Sequence, residues 1–167
     1  DDNKKGRKFI VPQGEKKTSG IKANLLWDTP AYVLGKYISD GKKDKNKQKK
    51  QEENVPKQHK AFIERFNKVF PKSFQNDGIK AVRKYLEKND FKDIYAHPKW
   101  QDVEKTNANL SFILELKQNL VCQDEDVMGQ ISSSPSSEHA VMLTCMVTGN
   151  KDIPSFLHTA IKGVCGA

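Results

Sequence analysis

The chain has little of what most enzymes, secreted scaffolds and membrane proteins require. Its three cysteines, Cys122, Cys145 and Cys165, are odd in number and far apart. With no CxxC spacing they exclude a common zinc site, and a disulfide framework is not expected at this size. Buried, reduced thiols of a cytoplasmic protein fit better. The longest uninterrupted apolar runs, such as residues 140–143, reach four residues, far too few to cross a bilayer as a helix. Catalytic signatures are missing too. There is no GxGxxG, HExxH or GxSxG. The nearest approach to a phosphate-binding P-loop, Gly35 followed by Gly41-Lys42-Lys43, is one residue too long and has Lys in place of the hydroxyl. His59, His97, His139 and His158 are scattered singly and read as surface or structural residues. Asp124-Glu125-Asp126 reads as a solvated loop, since three consecutive acids do not point the same way. No catalytic residue, metal site or cofactor is expected, and the chain is read as a non-enzyme.

What is present is positive charge, unevenly placed. The 167 residues carry 29 Lys and Arg against 21 Asp and Glu. Residues 1–60 hold 16 of the basic and 8 of the acidic residues, a net of +8, whereas residues 61–167 hold 13 of each. All of the excess therefore lies in the first third, which points to a polyanionic partner. Part of it is the run GKKDKNKQKK over residues 41–50, six Lys against one Asp. With nothing apolar between Ser39 and Val55, residues 39–55 read as a flexible, Lys-rich loop. Lys42 and Lys43 there could touch a nucleic-acid backbone, or the segment could be an insertion without a specific role. Lys without interleaved aromatics gives salt-sensitive attraction and no sequence selectivity.

The rest of the excess surrounds residues 11–35, VPQGEKKTSGIKANLLWDTPAYVLG, where a polar, cationic loop runs into the apolar anchor Leu25-Leu26-Trp27. Gly20 permits a turn or a close approach to a ligand. Thr18, Ser19, Lys22 and Asn24 offer hydroxyl, ammonium and amide groups suited to phosphate oxygens or base edges. The same composition also describes a Lys-decorated surface turn, and composition does not choose between the two.

Periodicity gives an α+β pattern: mixed, mainly antiparallel strands with an inserted pair of helices. Residues 31–34 read as a short strand ended by Gly35. Pro56 is placed to open a helix carrying Phe62, Phe66, Val69 and Phe70 on one stripe, stopped by Pro71. A second helix starts at Asn76 or Asp77, buries Ile79, Val82 and Leu86, and ends near Asn89-Asp90. Residues 110–117 alternate as a strand, with 120–122 as its partner after a tight turn. Residues 132–137, SSSPSS, read as a loop, and 141–147 as a further strand closed by Gly149-Asn150.

Two segments carry a family resemblance. Residues 18–35, TSGIKANLLWDTPAYVLG, resemble a signature of the large subunit of type I-C CRISPR interference complexes, the Csd-type protein of Cascade. Residues 145–167, CMVTGNKDIPSFLHTAIKGVCGA, are similar to that family's C-x-V-T-G…P…L-H…I-K-G-V-x-G-A run. The two lie at opposite ends of the chain and in the family's order, with the Lys-rich insertion and helices matching its variable middle. The family's first segment and its larger C-terminal part have no counterpart, and Cys165 stands where a longer side chain is expected. With its start at Asp1-Asp2 the chain is therefore expected to be a single domain, 1–167, from inside a larger protein.

The resemblance implies a non-catalytic, DNA- and RNA-binding part of an antiviral ribonucleoprotein in the prokaryotic cytoplasm. Such a subunit recognises the protospacer-adjacent motif (PAM) in double-stranded target DNA and helps open the strands, while the guide RNA reads the target. Its partners are the guide RNA, other Cascade subunits and a helicase-nuclease recruited later; a membrane is not among them. The alternative is an assembly module that docks on guide RNA and neighbouring subunits without reading the motif. Within the resemblance, Lys22 and Asn24 are assigned to base-edge or groove contact. Thr18, Ser19 and the Gly20 backbone are assigned to a phosphate, and Lys16 and Lys17 to long-range attraction. Asn24 could instead bridge backbone groups beneath Trp27. In the second segment Gly149, Gly163 and Gly166 are expected to serve backbone geometry, with His158 and Lys162 open to RNA or a neighbouring subunit.

Overall fold

The computed structural model describes residues 8–17, 20–39, 45–115, 117–134, 143–144, 148–149 and 151–152. The chain divides into two units, Asp1–Ser133 and Ser134–Ala167. The first contains strand β1 (Trp27–Asp28) and helices α1 (Pro30–Val33), α2 (Lys45–Val69), α3 (Asp77–Lys88), α4 (Lys92–Ala96) and α5 (Trp100–Thr106). Strand β2 (Leu110–Ser111), a 3-10 turn (Val121–Gln123) and helix α6 (Glu125–Ser133) complete it. The second contains strands β3 (Leu143–Thr144) and β4 (Lys151–Asp152), paired antiparallel, with Gly149 in the left-handed region between them at φ 71°. The fold is α+β, and helix dominates it.

Strand β1 pairs antiparallel with β2, Trp27 opposite Ser111, so the intervening helices are an insertion between two paired strands. The insertion holds more helices than the expected pair. Its two longest follow their sequence signals closely. In α2, Val55, Phe62, Phe66 and Val69 form one buried stripe, and Phe62, Phe66 and Phe70 are almost wholly excluded from solvent. Successive rings of Phe66, Phe70 and Phe74 meet in tilted contact with centroids 5.5 Å apart, a geometry that adds to area burial. Pro71 ends the helix, and Arg83 from α3 donates to the carbonyl of Phe70 at 2.6 Å. Helix α3 is capped by Asn76, whose side chain accepts from Ile79 N–H at 3.1 Å, and stops at left-handed Asn89. Ile79, Val82 and Leu86 face the core, as their spacing requires.

Several local expectations are corrected. Residues 31–34 lie in or beside α1 and are not a strand. Pro30 sits at the first helical position, and the N–H groups of Tyr32 and Val33 both bond the Thr29 carbonyl. Gly35, at φ 60°, then turns the chain away. Helix α2 begins at Lys45, with Pro56 inside it. The loop expected over 39–55 is therefore helical from Lys45 onward, while 40–44 lie outside the described residues. Lys, Gln and Glu are good helix formers even where nothing is buried, and their polarity hid that propensity. Residues 110–114 keep their alternation, Leu110, Phe112 and Leu114 turned inward. Regular pairing nevertheless shrinks to β2 and a single bridge between Ile113 and Leu120, because Val121–Gln123 winds into a 3-10 turn. Asp124, Glu125 and Asp126 lead into α6, with acids in its first turn favoured by the helix dipole. Ser132 and Ser133 close that helix rather than opening a loop. Of the strand expected over 141–147, Leu143 and Thr144 are described and are in strand; its other residues lie outside the described residues.

Candidate nucleic-acid interface

The cationic stretch before Trp27 forms a strap whose two limbs are tied to each other and to the core. Its centre is Asp28, a carboxylate with 1% exposure. Burying a charge is costly unless it is paired and fully hydrogen-bonded, and here both conditions hold. Oδ1 accepts from Lys17 Nζ at 2.6 Å and Thr29 N–H at 2.8 Å. Oδ2 accepts from Lys17 Nζ at 2.7 Å and Asn24 N–H at 2.8 Å. The Lys17 ammonium also lies over the Tyr32 ring, 3.9 Å from its centroid. Burial pushes the Tyr32 phenol above its ordinary pKa and the Asp28 charge adds to that, while bonds to the Gln58 side chain and the Lys22 backbone work the other way.

Three further ties fix the limbs. Asn24, itself buried, accepts from Glu15 N–H through Oδ1 at 2.8 Å. Trp27 Nε1 donates to the Pro12 carbonyl at 2.8 Å. Arg65 reaches up from α2, its Nη1 2.7 Å from Glu15 Oε1 and also donating to the Ala23 carbonyl. Gly14 lies so close to the Trp27 ring that a Cβ there would meet Cζ2 at 3.2 Å. Leu26, fully buried, takes a left-handed backbone at φ 62°, and its carbonyl accepts from Ser111 Oγ at 2.9 Å. Such a conformation costs a non-glycine residue about 1–2 kcal/mol, which the surrounding packing must sustain.

The far end of the strap is different. Gly20 is exposed at φ 74°, and a Cβ built on it would meet nothing within 4 Å. Lys22 and Lys16 are exposed. The residues singled out from the sequence thus separate into two groups. Asn24 belongs to the buried base, and Lys17, though itself exposed, is spent there on the Asp28 carboxylate; Gly20, Lys22 and Lys16 lie on the outer surface. Thr18, Ser19, Lys42, Lys43 and Lys162 lie outside the described residues, as do His139, His158, Cys145 and Cys165. The remaining described histidines are structural in their contacts. Nδ1 of His59 bonds the Tyr32 carbonyl at 2.8 Å and must carry the proton there, and Nδ1 of His97 accepts from Lys99 N–H at 3.2 Å. Cys122 is a buried free thiol, pushed up in pKa by that burial.

Sequence reasoning missed Asp28, Glu15 and Arg65. An isolated acid flanked by Trp27 and Thr29-Pro30 was the available sign for Asp28, since an acid there is either buried and paired or out of place. Nothing local marks the Glu15–Arg65 pair, whose members are 50 positions apart. Among the described residues no group of three or more His, Cys, Asp or Glu side chains gathers as metal ligands would. No described helix is long and apolar enough to cross a membrane.

Against this geometry stands the result of comparison with known proteins. A family model described as CRISPR-associated protein (Cas_Csd1) matches residues 1–167, and the chain belongs to that family. No curated protein matches it.

Proposed function

We propose that this Csd1-family chain is a non-catalytic nucleic-acid-binding part of a type I-C Cascade complex, and that the strap over residues 16–24 reads the protospacer-adjacent motif in duplex DNA. The observation that carries the reading is an exposed cationic tip set on a base tied together by hydrogen bonds within the chain. A base contact needs a side chain held within a fraction of an ångström, and preorganised support supplies that. Lys22 is the residue assigned to base edges or the groove, with the Gly20 backbone and the hydroxyls of Thr18 and Ser19 on a phosphate. Lys16 adds attraction at a distance. Lys17 and Asn24 act from beneath: one neutralises Asp28 and the other ties Glu15 to the returning limb. In this reading the guide RNA, other Cascade subunits and a recruited helicase-nuclease are the partners, and the guide RNA reads the target by base pairing.

The test is duplex binding by the complete complex carrying Lys22→Ala, on targets with and without the motif, at two salt concentrations. Loss of the preference for motif-bearing DNA, with salt-dependent background binding retained, is the expected result. Full preference in the variant contradicts motif reading by the strap. Failure of the variant subunit to enter the complex favours a docking role on guide RNA or neighbouring subunits instead.

A further inference from the structure

The outer face of α3 carries a second concentration of charge, on an element the strap reading does not use. Lys80, Lys84 and Lys88 recur every fourth residue and all three are exposed. At about 100° and 1.5 Å per residue they form one stripe about 12 Å long. Opposite them Ile79, Val82 and Leu86 are buried, so the stripe is presented by a helix locked to the core at the other face. The residues from 61 onward balance at 13 charges of each sign, so this row is a local segregation rather than part of a general excess. Like charges four apart work against a helix. Relief within the chain is slight: Asp77, at the head of the stripe and almost fully exposed, stands 3.9 Å from Lys80, and Glu87 lies at the stripe's edge. Among the described residues no ion pair holds Lys84 or Lys88.

We propose that this stripe is a phosphate-tracking surface that binds the backbone of duplex DNA without regard to sequence. Over about 12 Å one strand of a duplex advances by three or four phosphates, which matches three ammonium groups. The face has no aromatic side chain among the three lysines on which a single-stranded base could stack, and exposed ammonium groups on flexible stems give salt-sensitive attraction to phosphates without fixed base geometry. Backbone attraction to a duplex is what remains. This surface goes beyond the strap reading and stands on a helix outside the strap, so either can fail without the other.

The experiment replaces Lys80→Gln, Lys84→Gln and Lys88→Gln together in the complete complex and measures duplex affinity across a salt series. Three lost phosphate contacts lower the slope of log affinity against log salt by about 2.7 in magnitude, while the ratio between motif-bearing and motif-free DNA stays at its wild-type value. Arginine at the same three positions keeps the wild-type slope. An unchanged slope in the Gln variant overturns the proposal. So does a variant that loses only guide-RNA binding, or one that no longer assembles, since the stripe would then face RNA or protein.

Discussion

The base and the tip of the strap are a few residues apart in sequence and opposite in physical character. At the base, the Asp28 carboxylate, the Oδ1 and N–H of Asn24, the Lys17 ammonium and the Trp27 indole N–H are all bonded within the chain itself. At the tip, Gly20 and Lys22 face solvent, and Gly20 has open space around it. A lysine is therefore not a ligand contact merely because it lies in a basic loop. Lys17 and Lys22 are indistinguishable by composition, yet the first is engaged with a buried carboxylate and the second is at liberty to meet a partner. Stability resides in the base, and recognition is assigned to the tip.

Substitutions in the base should destabilise most. Asp28→Ala strips the partner from Lys17, from the buried N–H of Asn24 and from the half-buried N–H of Thr29, and bonds to a charged acceptor are each worth about 1.5–3 kcal/mol. Urea unfolding of the full chain should show that loss as a lower midpoint at unchanged slope. Lys17→Ala leaves the carboxylate its two backbone donors, and the lysine side chain is 32% exposed, so water can take part of its place. A loss of about 1.5–3 kcal/mol follows, the range for hydrogen bonds to a charged group. An effect as small as that of a surface lysine would mean that the pair organises nothing.

Gly20→Ala sharpens the contrast from the other side. Its left-handed backbone costs an L-residue about 1–2 kcal/mol, but the added methyl meets no atom. Gly14→Ala meets the Trp27 ring instead. The first variant should keep the ordinary Trp27 fluorescence and the second should shift it. Equal spectra in the two variants would break the distinction between a packed base and an open tip.

How much of this was readable beforehand depends on how local the cause is. Helix α3 was legible because its cap, its buried 79–82–86 stripe and its left-handed stop are all written within fourteen residues. The phenylalanine stripe of α2 was legible for the same reason. Residues 31–34 were not, since four apolar and aromatic residues suit a strand or a helix turn equally, and the decision fell to Thr29-Pro30 just before them. The α2 start at Lys45 was hidden because the described side chains among its first ten residues are exposed or only half-buried, and periodicity speaks only where there is a face to bury. In the strap, the importance of the stretch was legible from its charge and its Trp, but the division of labour within it was not. Lys17 meets Asp28 across 11 positions and Arg65 meets Glu15 across 50. No spacing rule connects such pairs before the chain has folded.

Amide hydrogen exchange over residues 12–29 of the assembled complex, with and without motif-bearing duplex, tests the central division most directly. In the free complex the N–H groups of Glu15, Asn24 and Thr29, bonded to Asn24 and Asp28, should exchange slowly. Those of the exposed tip around Gly20 should exchange fast and gain protection only when the duplex carries the motif. Fast exchange throughout the base, or a tip that motif-bearing DNA leaves unprotected, would contradict the account.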